Sequence, residues 1–316
     1  MVLWAYIVII DMDILERYKQ LNSSFKIKLI HHFGTGQGFF SELNSLLFSV
    51  LYCLRNKLRI ELYSKDASFC FGNGWSEYFE LFCPEYKNDL IGKRISRGYY
   101  NLNKGDKFLF LYKTITKNLV SSDIYWYCRT SWFEHSHFNI PELGINGDIR
   151  HAMKTIIPIV YRFNPKYTTI IQNMINDLNL PVNYISLHVR AGDKASERQL
   201  ILPQDYLNKA KEVSFCKNVF VATDDYRIYD QLKQDNPSYT FYTLTSPSEK
   251  GYDNDTFIAS SHDDIRQNLI ELFASIQIIL KSELFVGTYS SNPGMFVGMQ
   301  IDDKMIGMDF DRWLII

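Results

Sequence analysis

The sequence predicts an α/β protein built on doubly wound parallel sheets. Three observations carry that expectation. Apolar strand-like runs alternate with helical stretches through the second half of the chain. Three of those runs stop abruptly in polar clusters: Arg190/Asp193, Asp224/Asp225 and Ser290/Ser291. Near the start, a strand, a glycine loop and a helix follow one another and lead into a further strand, as in a βαβ unit. Open sheets of this kind bind ligands beyond the carboxyl ends of their strands, so the site is expected along that edge.

A length of 316 residues suggests about two domains. Apolar content of 46% and aromatic content of 15% are ample for a sizeable core. The net charge is −1, from 34 basic and 35 acidic residues, which gives no bulk attraction to nucleic acid or an anionic membrane. An anionic ligand must therefore be held by a local cluster. The 21 tyrosines and 22 phenylalanines suit a protein that stacks on flat or ring-shaped ligands, and a compositional bias explains them equally well. The five cysteines (Cys53, Cys70, Cys83, Cys128, Cys216) form no C-x-x-C pair and no zinc spacing, so reduced thiols are expected rather than a disulfide framework. The apolar run Val2–Ile10 is too short to span a bilayer and no basic segment precedes it; it reads as a first strand. Asn22-Ser23-Ser24 and Asn254-Asp255-Thr256 fit the glycosylation triplet, a pattern common by chance. An intracellular, cytoplasmic protein with no transmembrane segment is expected.

In chain order, a charged stretch from Asp11 to Lys19 precedes the alternating run Phe25–Ile30, a strand. Phe33-Gly34-Thr35-Gly36-Gln37-Gly38-Phe39-Phe40 follows, and from Ser41 the residues Leu43, Leu46, Leu47, Val50, Leu51 and Leu54 recur at helical spacing with Glu42 in the first turn. Glycines at such a junction let backbone N–H groups approach an anion; a tight turn is the competing reading. Leu58–Tyr63 is the next strand, and Phe71-Gly72-Asn73-Gly74-Trp75 is a turn presenting an aromatic ring. Residues 80–150 alternate poorly and are rich in aromatics, among them Tyr99, Tyr100, Trp126, Tyr127, Trp132 and Phe133. His135-Ser136-His137 lacks a nearby carboxylate or cysteine to complete a metal set, so surface histidines are expected. Residues 152–178 read as two helices, the second closed by Asn179-Leu180-Pro181. The domain boundary is placed here, giving 1–178 as an N-terminal lobe and 179–316 as a C-terminal lobe.

The second half is more regular. Tyr184–Val189 is a buried strand; a helix opens at Leu202-Pro203-Gln204-Asp205-Tyr206 and runs to about Val213. Asn218–Thr223 is a strand, Tyr226–Gln234 a helix and Tyr239–Leu244 a strand. Residues 245–262 form a long polar loop (Ser246, Ser248, Gly251, Asp253, Asn254), long enough to bind something. Asp264–Leu280 is the clearest helix, and Glu283–Thr288 a strand ending in Tyr289-Ser290-Ser291-Asn292-Pro293-Gly294.

The polar clusters suggest chemistry. Arg190 is the natural anion holder, because a guanidinium forks onto phosphate oxygens where lysine offers a point charge. Ser290 and Ser291, at a strand–helix junction, add hydroxyl and backbone N–H donors. Asp224 and Asp225 suit a metal, a partner for Arg190, or a base or ribose. Asp193, Lys194 and Glu197 are candidates for proton transfer towards a sugar hydroxyl, or for a salt-bridged helix cap. Asp11-Met12-Asp13 and Asp309-Phe310-Asp311 match a D-x-D pattern by letter only.

Four segments in order resemble the α1,6-fucosyltransferase-like family, which includes the core N-glycan enzyme and the rhizobial chitin-oligosaccharide enzymes. They are Gly36-Gln37-Gly38-Phe39 with Gly74-Trp75 downstream; His188-Val189-Arg190-x-Gly192-Asp193-Lys194; Ala222-Thr223-Asp224-Asp225; and Gly287-Thr288-Tyr289-Ser290-Ser291. Glu197 and Pro203-x-x-Tyr206 behind the second segment lean towards the α1,6-type branch. The resemblance implies a GT-B-type fold of two Rossmann-like lobes, with the donor site in the C-terminal lobe and the acceptor side, including the glycine loop 34–38, in the N-terminal one. It implies GDP-fucose as donor, a glycan acceptor, inversion at the anomeric carbon, and no metal or other cofactor.

By the same resemblance Arg190 grips the β-phosphate and His188 lies at the nucleotide. Ser290 and Ser291 line the diphosphate, Asp224 and Asp225 support Arg190 and the donor pocket, and Gly36, Gln37, Gly38 and Phe39 face the donor. Glu197 is the base, assisted by Lys194, with Asp193 beside them. This sequence departs from the family at three points. Ala191 follows Arg190 where two adjacent arginines are usual, Lys194 and Glu197 are three residues apart rather than four, and Ser275 stands where a guanine-binding Asp is usual. The chain also lacks the coiled-coil stem and SH3-like domain of the animal enzyme, which fits a bacterial or viral source. Transfer in α1,2 linkage, transfer to protein hydroxyls, use of another GDP-sugar, and a silent nucleotide-sugar- or glycan-binding module are the alternatives.

Overall fold

A computed structural model describes residues 13–95, 106–190 and 201–315. The strand expected at Val2–Ile10 lies outside them. The chain divides into two compact units, the second spanning Pro165–Leu314. The division falls one helix ahead of position 178.

In the first unit, helix α1 (Ile14–Ser24) precedes strand β1 (Lys28–His32), helix α2 (Phe39–Arg55) and strand β2 (Arg59–Tyr63). The charged stretch from Asp11 thus leads into a helix, whose buried residues are only Leu15, Tyr18 and Asn22. The short strand β3 (Leu119–Val120) completes a parallel sheet in the order β2-β1-β3, with His32 opposite Tyr63 and Ile30 opposite Val120. Residues 80–150 are short pieces, among them helix α3 (Lys107–Thr116) and a two-stranded antiparallel ladder of β4 (Phe138–Ile140) and β5 (Ile145–Gly147). Helix α4 (Ile149–Val160) packs on α2. Of the aromatics singled out there, Phe133 is buried, Trp126, Tyr127 and Trp132 are exposed, and Tyr99 and Tyr100 lie outside the described residues. The aromatic core lies ahead of this stretch: Phe33, Phe39, Phe69, Trp75 and Phe79 form a run of edge-to-face and stacked contacts with centroids 4.5 to 5.9 Å apart. Trp75 is buried, so the turn at Gly74 inserts its ring into this core instead of presenting it.

The second unit is the doubly wound sheet expected from the strand pattern. Helix α5 (Pro165–Asp177), strand β6 (Ile185–Val189), helix α6 (Pro203–Lys211), strand β7 (Asn218–Thr223), helix α7 (Tyr226–Asp235) and strand β8 (Thr240–Tyr242) follow in order. Helix α8 (His262–Lys281), strand β9 (Leu284–Gly287), helix α9 (Asn292–Ile301) and strand β10 (Met305–Gly307) complete it. All strands are parallel, in the order β10-β9-β6-β7-β8. Ile185, Leu187 and Val189 pack with Val219, Val221 and Val286 against Tyr206, Leu207 and Ala210 of α6 and Tyr229 and Leu232 of α7. Strand alternation then turns Ser186 and His188 to the opposite face, where α8 crosses β6 and β7 and packs on α5 and α9. The Tyr184 hydroxyl donates to the Ile278 carbonyl (2.8 Å), fixing β6 to α8.

Beyond β9 the chain is locked by one ring. Tyr289 is 1% exposed and lies between Gly298 of α9 and Gly307 of β10. A Cβ built on either glycine would stand 2.5 Å from a ring carbon of Tyr289.

Candidate functional site

The strand order of the second unit reverses between β6 and β9, so the carboxyl ends of these two strands flank its switch point, the usual ligand position in such sheets. β6 delivers His188 and Arg190 there. Burial of the His188 ring and the neighbouring Arg190 charge push its pKa down to about 4, so the imidazole is neutral at pH 7. His188 Nδ1 and, one pleat earlier on the same face, Ser186 Oγ are buried without a hydrogen-bond partner among the described residues. Arg190 is half-buried, and its guanidinium carbon lies 5.7 Å from the centroid of the Tyr252 ring. Asp193, Lys194 and Glu197 lie outside the described residues.

β7 ends in the acidic pair, and the structure separates the two. Asp225 is buried and caps α7: its carboxylate accepts from the Arg227 backbone N–H (3.0 Å) and from Arg227 Nε (2.9 and 3.1 Å). The Arg227 guanidinium holds the Asp225 carboxyl below the usual carboxylate range. Asp225 is therefore engaged by Arg227, whereas Asp224 is bonded to the long polar loop. That residue accepts the Tyr252 N–H on its carboxylate (3.2 Å) and the Gly251 N–H on its carbonyl (2.8 Å).

The expected long loop carries the single-turn helix Asn254–Ala259. Its first part is fastened to the end of β7, because Thr245 Oγ1 donates to the Thr223 carbonyl (2.7 Å) and the Tyr226 N–H to the Glu249 carbonyl (3.1 Å).

At the end of β9 the Ser291 hydroxyl and the Ser290 N–H have partners within the chain. Ser291 is buried and caps α9: its hydroxyl donates to the Thr288 carbonyl (2.9 Å) and accepts from the Gly294 N–H (3.1 Å). The backbone N–H groups of Tyr289 and Ser290 donate to the two carboxylate oxygens of Asp309, at 2.8 and 3.0 Å. The Ser290 N–H expected to meet a phosphate thus meets Asp309. The D-x-D letters at 309–311 mark a loop-holding carboxylate.

The glycine loop of the first unit follows the same rule. Gly34 and Gly36 have φ of 124° and 85°, open to glycine alone without strain. The turn they make wraps around Glu42, which is fully buried. Its carboxylate accepts the N–H of Thr35 (2.9 Å) and of Gln37 (3.3 Å), and also the Thr35 hydroxyl. An anion does sit in the loop, and it belongs to the protein. Gly38 caps α2 with its backbone, and the Phe39 ring is in the aromatic core instead of facing a ligand.

His135 Nδ1 pairs with the Ser131 carbonyl (2.7 Å) and His137 Nε2 with Asn146 Oδ1 (2.8 Å); both residues are exposed. No set of three or more metal-ligating side chains occurs among the described residues. All five cysteines are free thiols, and no helix among the described residues is long and apolar enough to cross a membrane. Three residues at these strand ends went unassigned from sequence. Glu42 had a signal, an acid in the first helical turn; Asp309 and Tyr252 had none beyond their loops.

No protein-family model and no curated protein sequence matches the chain. Solved structures do. The fold is of the GT-B type. The α1,6-fucosyltransferase NodZ soaked with GDP-fucose is similar over 91% of this chain and 97% of its own, at 14% identity and a TM-score of 0.56. NodZ from Bradyrhizobium aligns over 86% of this chain and 92% of its own, at 14% identity and a TM-score of 0.53. NodZ co-crystallized with GDP aligns over the same shares, 86% and 92%, at 14% identity and a TM-score of 0.51. This likeness establishes the α/β, GT-B-type fold; the chemistry rests on this chain's own residues.

Proposed function

We propose that the protein is an inverting, metal-independent fucosyltransferase that moves L-fucose from GDP-fucose to a glycan hydroxyl, most simply in α1,6 linkage. The observation that carries this reading is Arg190. It stands with neutral His188 at the carboxyl end of the central strand of the second unit, beside the switch point, on a fold shared with NodZ soaked with GDP-fucose. A guanidinium there forks onto the β-phosphate and stabilises the charge that grows on the departing diphosphate. The bond from the fucose anomeric carbon to the β-phosphate oxygen breaks, and the acceptor hydroxyl attacks from the opposite face of an oxocarbenium-like sugar. The hydroxyl proton passes to a carboxylate, which we assign to Glu197 with Lys194 and Asp193 beside it. The donor pocket is built from His188, Arg190, Asp224 and the junction at Ser290.

The test is GDP release from GDP-fucose, against GDP-mannose and UDP-sugars, with a panel of glycan acceptors and with EDTA present. Acceptor-stimulated release from GDP-fucose alone is expected, with GDP affinity about 100-fold weaker in R190A. Undiminished turnover in R190A sinks the role given to Arg190. GDP binding without donor turnover favours the nucleotide-sugar-binding module instead.

A further inference from the structure

We propose that Tyr252 is a positioning residue that sets the Arg190 guanidinium over its ring, and that Asp224 acts on Arg190 through Tyr252. The affinity consequence rests on the GDP-sugar reading above; the positioning itself does not.

Five elements of geometry point this way. The Arg190 guanidinium carbon lies 5.7 Å from the Tyr252 centroid, inside the range in which a ring quadrupole attracts a cation. Tyr252 does not reach that place by chance packing. Its N–H is fixed on the Asp224 carboxylate (3.2 Å), and the preceding Gly251 N–H on the Asp224 carbonyl (2.8 Å) with φ of 115°, a turn that favours glycine. Its hydroxyl donates to Asn254 Oδ1 (3.0 Å), at the start of the helix that Asp253 caps through the Thr256 N–H (2.8 Å). Its ring lies 5.6 Å from that of Phe257 in the same helix. The loop is in turn fastened at its base to the end of β7 through Thr245 and Glu249.

The consequence is a division of labour in the acidic pair. Asp225 is engaged by Arg227, whereas Asp224 reaches back to β6 by way of the loop. A long side chain such as Arg190 carries rotamer freedom that a diphosphate would have to freeze. A ring held from three sides restricts that freedom in advance. It also supplies a flat apolar backing, so the fork is presented edge-on to an oxygen pair.

The experiment compares wild type with Y252F, Y252L and D224A. Arginine side-chain NMR comes first, with Arg190 assigned by the signal lost in R190K, followed by GDP titration and thermal unfolding. Ring-shifted Arg190 side-chain protons are expected in wild type and Y252F. They move to solvent-exposed arginine values in Y252L and part of the way in D224A, which loosens the loop without touching the ring. GDP affinity falls about 2- to 30-fold in Y252L, Y252F restores most of it, and the melting temperatures stay close. An unshifted Arg190 in wild type, or a signal unmoved in both Y252L and D224A, overturns the proposal, as does a Y252L that keeps the Arg190 shift but loses GDP. If no variant binds GDP while the Arg190 signal still follows the ring, the positioning stands and the donor reading falls.

Discussion

The loops after β1 and β9 differ from the end of β6 in where their polar groups point. Each loop follows a parallel strand, opens a helix and turns backbone N–H groups inward. Each closes on a carboxylate of its own chain: Glu42 from the helix that follows in one case, Asp309 from beyond the neighbouring strand in the other. The end of β6 is built the other way, with the His188 Nδ1 left without a hydrogen-bond partner among the described residues and a guanidinium laid over a ring. Donors at a strand–helix junction therefore indicate a ligand only after the protein's own acids have been accounted for.

Removing the internal anion of the first loop should have the largest effect. E42A leaves the Thr35 and Gln37 N–H groups and the Thr35 hydroxyl without their acceptor in a buried site. It should lower unfolding free energy in urea by about 3–5 kcal/mol. E42Q, which keeps one acceptor oxygen, should cost less. An E42A protein of wild-type stability that bound inorganic phosphate at the loop would break the comparison.

His188 gives the next effect, through pH. Its folded pKa of about 4 lies below the ordinary histidine value of 6.5. The unfolded chain therefore binds the extra proton first, and this contribution to stability is complete above pH 6.5. It drains away as pH falls towards 4, by about 1–3 kcal/mol in total. Urea midpoints followed down this range should slope less in H188Q. Parallel slopes would show that His188 is not buried as described.

The second loop should respond least. D309N keeps one acceptor for the Tyr289 and Ser290 N–H groups and should cost about 1–2 kcal/mol. Hydrogen exchange at those two amides should speed up more than at the amides of α9. Unchanged exchange would mean that the loop holds itself without Asp309.

Much of this was legible in the sequence, for identifiable reasons. β6, β7 and β9 are long apolar runs ending in charge or hydroxyls, and α2 and α8 keep helical spacing over 17 and 20 residues. α1 was missed because only Leu15, Tyr18 and Asn22 are buried in a polar stretch. β3 and β10 have two and three residues, too few for any period to register. Trp75 looked like a ring on a turn because the sequence does not say which way a turn faces. The pairings that decide the loops span 20 and 19 residues for Asp309 with Tyr289 and Ser290, and 28 for Asp224 with Tyr252. Contacts of that separation are made by the sheet, and no local pattern encodes them.

The Tyr289 ring between Gly298 and Gly307 couples sequence variation at 289 to that at 298. While an aromatic ring fills the space, neither glycine can change to alanine without displacing it, and with it the loop that Asp309 holds. Were Tyr289 to become small, Gly298 would be released to accept a side chain, whereas a Cβ on Gly307 would still stand 2.1 Å from the Phe310 carbonyl oxygen. Related sequences should therefore vary at 289 and 298 together, a large residue at one facing a small one at the other, with glycine kept at 307.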